Sequence, residues 1–256
     1  MKFNQILNKL AKKFPKRYAK LWHDYVGHMV GDKPEEIHKV LLCLDADWEL
    51  LPYVDEYKPD IVISHHPFIF GTKAKVLKYD ESKRLLVEEF NKRRIPIYSY
   101  HTNFDTGKDG MNDALANLLD LQDVYAPEKH IMMRIGNLKK EMPVEEFAKY
   151  AVKKFKVDYS LLISKGKPTI KKVGIIGGGG SRDWVIAKEE GCDIYISGDA
   201  PHYVRRDITN AKYNYLDMPH EIEHVFMPQM KKLLLEIDPT LEIVEIDHEK
   251  LPKVIC

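Results

Sequence analysis

The sequence predicts an α/β protein of two lobes built on mostly parallel sheets. Strand-length β-branched runs alternate with amphipathic stretches of helical period between residues 40 and 119. That alternation is the pattern of parallel strands joined by covering helices. The rhythm breaks over 122–140 and resumes from 144 to 246, which marks a junction between two such lobes. At 256 residues the chain can bury one large core or two small ones.

In chain order, residues 1–23 hold no acid and seven Lys or Arg, with Phe3, Ile6, Leu7, Leu10 and Phe14 at helical spacing. The expected helix docks that stripe on the core and leaves its lysines in water. Gly27 and Gly31 suggest turns. Residues 40–44 read as a strand, 47–53 as a helix and 60–64 as a strand. A helix over 81–93 follows with Leu85, Leu86, Val87 and Phe90 inward, then a strand at 95–100 and a helix at 111–119. Beyond the break, helices are predicted over 144–155, 183–190, 200–210 and 220–236. Strands are predicted over 159–163, 172–176, 194–197, 213–217 and 241–246. The lobes are therefore 1–127 and 128–256, with the last helix and strand able to pack back on the first.

Composition excludes several classes. A net charge of +1 gives no global field for nucleic acid or an anionic membrane. No apolar run approaches the roughly 18 residues of a membrane span, and the N-terminus lacks the apolar region of a signal peptide. Cys43, Cys192 and Cys256 are far apart with no Cys-x-x-Cys spacing, so they read as core residues of a cytoplasmic protein.

The chemistry gathers behind predicted strands. Ile61-Val62-Ile63-Ser64 runs straight into His65-His66. Consecutive side chains on an extended backbone point to opposite sides, so two neighbouring metal ions suit the two rings better than one. Two further clusters follow strands: His101-Thr102-Asn103-Phe104-Asp105 and His220-Glu221-Ile222-Glu223-His224. At the carboxyl ends of parallel strands all three would share one edge. Imidazole with carboxylate favours zinc, iron, manganese or nickel over calcium, and Asp105 could bridge two ions.

The third cluster also satisfies the His-Glu-x-x-His pattern of zinc proteases, with Glu242 or Glu245 as a later ligand. That reading leaves the first two clusters without a role. Gly177-Gly178-Gly179-Gly180, between a strand and a helix, offers backbone amides to a phosphate, with Ser181 or Asp183 as the helix cap. His202, after Ser197-Gly198-Asp199, is expected to line the site.

With these residues in view the chain resembles the GTP cyclohydrolase type 2 homolog family, the Nif-three-like proteins. The likeness runs nearly end to end. It rests on Trp22 to Gly27, on His65-His66, on His101 with Asp105, Gly110 and Asn112, on the four-glycine turn, and on Ser197-Gly198-Asp199. The resemblance implies a two-metal site in the cleft between the lobes, inside a homohexamer. Its ligands would be His65, His66, Asp105, His220 and the residue four beyond, here His224 where the family has Glu. Either His224 replaces that carboxylate or Glu223 serves. The function implied is metal-dependent hydrolysis of a small, phosphate-bearing, nucleotide-like substrate using two divalent ions. The alternative is a non-catalytic metal-binding regulatory or partner protein, and a zinc protease ranks below both.

Overall fold

A computed structural model of the chain describes residues 1–249 and 252–255. Among them the strands are β1 (Gly27–Val30), β2 (Lys39–Cys43), β3 (Ile61–Ser64), β4 (Ile97–Ser99), β5 (Gln122–Tyr125), β6 (Arg134–Pro143), β7 (Leu161–Ser164), β8 (Thr169–Ile175), β9 (Ile194–Gly198), β10 (Asn214–Met218) and β11 (Glu242–Glu245). They make two sheets, ordered β1-β4-β3-β2-β11 and β5-β6-β8-β9-β10-β7. The chain divides into two compact units. One is Met1–Gly110 with Phe226–Glu249; the other is Met111–Val225 with the described residues 252–255.

In the first unit, β4, β3, β2 and β11 are parallel and β1 closes one edge antiparallel. The inner strands β2 and β3 are buried and largely apolar on both faces, as strands covered on both sides require. Val40, Leu41, Leu42, Ile61, Val62 and Ile63 are all fully buried. Each such side chain contributes about 1.5–3 kcal/mol over leaving it in water. Phe3, Ile6, Leu7, Leu10 and Phe14 are buried along the N-terminal helix Phe3–Lys13 and its end.

The helix Glu81–Arg93 buries Leu86, Val87 and Phe90, but Leu85 turns outward at 38% exposure. The helix expected over 47–53 starts later, at Leu51–Tyr57. Asp47 accepts the Leu50 amide in a turn, and Pro52 presets the first helical turn. Helix Lys73–Tyr79 has no buried residue and so left no hydrophobic period to read.

In the second unit β8, β9 and β10 are parallel, while β6 and β5 on one side and β7 on the other run antiparallel. The parallel strands sit centrally and the reversals lie towards the edges. Residues 122–140 broke the helical rhythm because β5 and β6 pair directly, without a crossover helix.

The segment expected as one helix over 220–236 is two elements, a 3₁₀ helix His220–Val225 and an α-helix Phe226–Ile237. Pro228 gives the reason. It has no N–H for the carbonyl of His224, and its ring crowds that carbonyl in an α-helix. Cys43 and Cys192 are buried; burial pushes both thiols up, Cys192 to about 12. Cys256 lies outside the described residues. Among the described residues no helix is long and apolar enough to cross a membrane.

Candidate metal centre

The register of the first sheet sets its donors side by side. Cys43 pairs with Ser64 and Ser64 with Ser99, so β2, β3 and β4 end together. Asp45, His65 with His66, and His101 come directly after these ends. Behind them, Ser64 Oγ donates to the His66 carbonyl at 2.9 Å and meets Ser99 Oγ at 2.8 Å, which braces the turn. His65, His66 and His101 present ring nitrogens that all lie within 4.8 Å of one another.

The hydrogen bonds fix which nitrogen each ring presents. His65 Nδ1 lies 2.8 Å from the Tyr100 carbonyl oxygen, which can only accept, so Nδ1 carries the proton and Nε2 a lone pair. His66 Nδ1 donates likewise to Asp45 at 2.7 Å, and His101 Nδ1 to Asp24 at 2.7 Å. Metal-bound histidines have this outer bond to a carboxylate or carbonyl, which holds the tautomer and turns Nε2 to the ion.

Burial works to raise the Asp24 carboxyl, but the His101 ring and the Thr102 hydroxyl hold it below the usual range. Asp45 is likewise held low by His66 against its burial. Its neighbour Glu249 is pushed up to about 7, by burial first and by the Asp45 charge second. Of the two carboxyls, Asp45 is therefore the one that ionises more readily, towards His66.

Asp105 sits one turn along from His101, on the short helix Thr102–Thr106, and is 7% exposed. Its Oδ1 is 3.6 Å from His65 Nε2. That is long for a hydrogen bond and close to the edge of roughly 3.4 Å between two ligands of one tetrahedral zinc-like ion. The donor set therefore fits a borderline transition metal.

The second unit repeats the arrangement at the carboxyl ends of β8, β9 and β10. His220 follows β10, and its Nδ1 donates to Asp199 at 2.6 Å. Its Nε2 then faces Glu223 Oε2 at 3.1 Å. A lone pair facing a carboxylate needs a proton or a cation beside it, and Glu223 is only 3% exposed. In a 3₁₀ helix residues three apart eclipse, so Glu223 stands over His220 and His224 is turned about a third of a circle away. The same geometry removes the shared face that a His-Glu-x-x-His zinc site requires. Glu242 and Glu245 are paired with Lys39 and Lys231.

The glycine turn serves this second donor set. Gly177 N–H donates to Asn112 Oδ1 and Gly180 N–H to the Gly178 carbonyl, so two amides expected to face a phosphate are already engaged. The following α-helix, Trp184–Glu189, has only six residues. The Gly178 carbonyl also accepts from Gly198 N–H and Ser197 Oγ, tying the ends of β8 and β9 together. Gly178 has φ +62°, and a Cβ there would lie 2.4 Å from Glu223 Oε1 and 3.1 Å from His220 Nε2. Gly178→Ala should therefore displace Glu223 and cost about 1–2 kcal/mol of stability from the left-handed backbone alone. Thermal unfolding together with a metal-affinity measurement checks this; unchanged affinity would show that Glu223 has room to move without consequence.

The structure thus brings His65, His66 and Asp105 together and adds His101, which the sequence reading placed in a motif but not among the ligands. It sets Glu223, the weighed alternative, beside His220 in place of His224. His202 stands exposed at the start of helix His202–Asn210, and Asp199 is the residue of that segment that meets His220. Asp24, Asp45 and Asp199, which orient the rings, were missed as such. Asp45 and Asp199 each follow a strand directly, a signal as legible as that of His65.

The sequence matches the profile of Duf34/NIF3 (NGG1p interacting factor 3) over residues 1–252. A Lactococcus lactis protein named "GTP cyclohydrolase 1 type 2 homolog" is 29% identical over 257 residues, 98% of each chain. A Clostridium perfringens protein of the same name is 29% identical over 260 residues, again 98% of each. The crystal structure of a Bacillus cereus protein related to NIF3 covers 100% of this chain and 99% of its own, with a TM-score of 0.87 at 20% identity. That likeness concerns the fold alone.

Proposed function

The chain belongs to the Duf34/NIF3 family, and we propose that it is a cytoplasmic, homohexameric metal-dependent hydrolase acting on a nucleotide-like substrate. The reading assigns it two divalent ions drawn from zinc, iron, manganese and nickel. His65, His66, Asp105 and His220 are ligands, with His101 beside them, and Glu223 takes the place first given to His224. The observation that supports it most is the common orientation of four rings, each with Nδ1 on an oxygen acceptor. The relatives' name, a GTP cyclohydrolase homolog, supports the substrate class.

When bound, such ions would supply Lewis-acid activation of water and of a polarised carbon or phosphorus centre. The chain's own residues do the rest. Asp24, Asp45 and Asp199 hold three rings in one tautomer, and the Tyr100 carbonyl holds the fourth. Buried Asp105 and Glu223 offer negative charge to offset that of the ions.

The test is turnover of a nucleotide panel by protein loaded with each metal, against a chelator-treated control. Metal-dependent release of product is expected. Loaded protein that keeps its ions and turns over nothing would end the hydrolase reading and leave a metal-binding regulatory protein.

A further inference from the structure

The first unit carries a recess of about 650 Å³, within the range of small-molecule sites. Buried Phe68 is among its lining residues, and Tyr25, Phe70 and Tyr79 line it at 54%, 59% and 73% exposure. Aromatic rings of that size are seldom left in water three to a recess without a use. Phe70 also packs edge-on to His101, ring centroids 5.8 Å apart, so the recess opens beside a proposed metal donor.

Charge selects the ligand. Lys75 and Lys83 line the same recess, and Lys83 Nζ sits 5.6 Å from the centre of the Phe68 ring. The lining acid, Asp80, is engaged in capping helix Glu81–Arg93 through the Lys83 amide. Among the described residues Lys75 has no carboxylate partner. Ammonium groups are compact point charges suited to phosphate.

We propose that this recess binds a planar aromatic phosphate, its ring stacked on Phe70 and Tyr79 and its phosphate held by Lys75 and Lys83. The proposal rests on the hydrolase reading only in taking the bound molecule for that enzyme's substrate; the binding itself stands apart from turnover.

Calorimetry on the purified full chain, with and without added zinc, tests it with adenosine monophosphate and flavin mononucleotide as probes. Adenosine, riboflavin and inorganic phosphate are the fragments. At least one mononucleotide should bind tenfold or more tightly than its fragments. Phe70→Ala should weaken that binding about tenfold, as loss of one stacking platform does. The double variant Lys75→Ala with Lys83→Ala should weaken it by a similar factor and remove the preference over the nucleoside. Phe70 and the two lysines are on the surface, so the variants are expected to fold, and Tyr79→Ala provides a second stacking test.

Absence of mononucleotide binding would overturn the proposal, as would affinity unmoved by either set of variants. A change in oligomeric state on Phe70→Ala, seen by light scattering, would also overturn it by making this face a contact between copies. Binding that follows these residues without any turnover would sink the hydrolase reading alone. Turnover at unchanged affinity in Phe70→Ala would sink this one alone.

Discussion

Glu223→Gln should remove about half or more of the transition metal the protein holds, whereas His224→Gln should leave the content unchanged. The contrast follows from the 3₁₀ form of His220–Val225, which puts residue 223 over His220. Glutamine keeps the size of Glu223 and its 3.1 Å approach to His220 Nε2, so packing survives while the charge goes. His224→Glu should likewise give no gain in affinity, because the added carboxylate projects elsewhere. Elemental analysis after metal loading and desalting reads all three variants. Equal losses for Glu223→Gln and His224→Gln would mean that the segment rewinds into an α-helix when metal binds.

His65→Ala should have the largest effect of any single change, bringing the content below one ion per chain. His65 is fully buried and makes four ring contacts in its unit, with His66, His101, Phe104 and Phe226. Its removal takes a ligand from the middle of the set. A content that stays at two ions per chain would remove His65 from the ligand set. Because alanine also leaves a cavity, Asp45→Asn provides a milder companion. It spares the ligand but loosens His66, for which a 10–100-fold drop in affinity is expected. A circular dichroism spectrum equal to that of the wild type shows that the fold is not the cause.

Much of this was legible in the sequence, and the parts that were not have physical reasons. His65 and His66 end an apolar run that reads as a buried strand, so both the strand and the position of the two rings at its end were readable. Asp105 followed from its place after another such run. The orienting aspartates were harder, because Asp24 lies far in sequence from His101 and reaches it only through the fold at 2.7 Å. Helix Lys73–Tyr79 has no buried face, so periodicity could not reveal it or the recess it lines. The choice of His224 over Glu223 rested on α-helical spacing, which the 3₁₀ form of His220–Val225 and the downstream Pro228 alter. At the glycine turn, the closeness of Glu223 and His220 to Gly178 was not legible, because it arises only from the fold.

The proposed centre is a pair of metal ions held by imidazoles presented through Nε2. The most direct test is equilibrium titration of chelator-treated protein with zinc, read by elemental analysis of the protein after desalting at neutral pH. A plateau at two ions per chain is expected, falling away as the solution is acidified, because the presented nitrogens must be unprotonated to bind. A plateau at zero, or a content indifferent to that pH change, would contradict it.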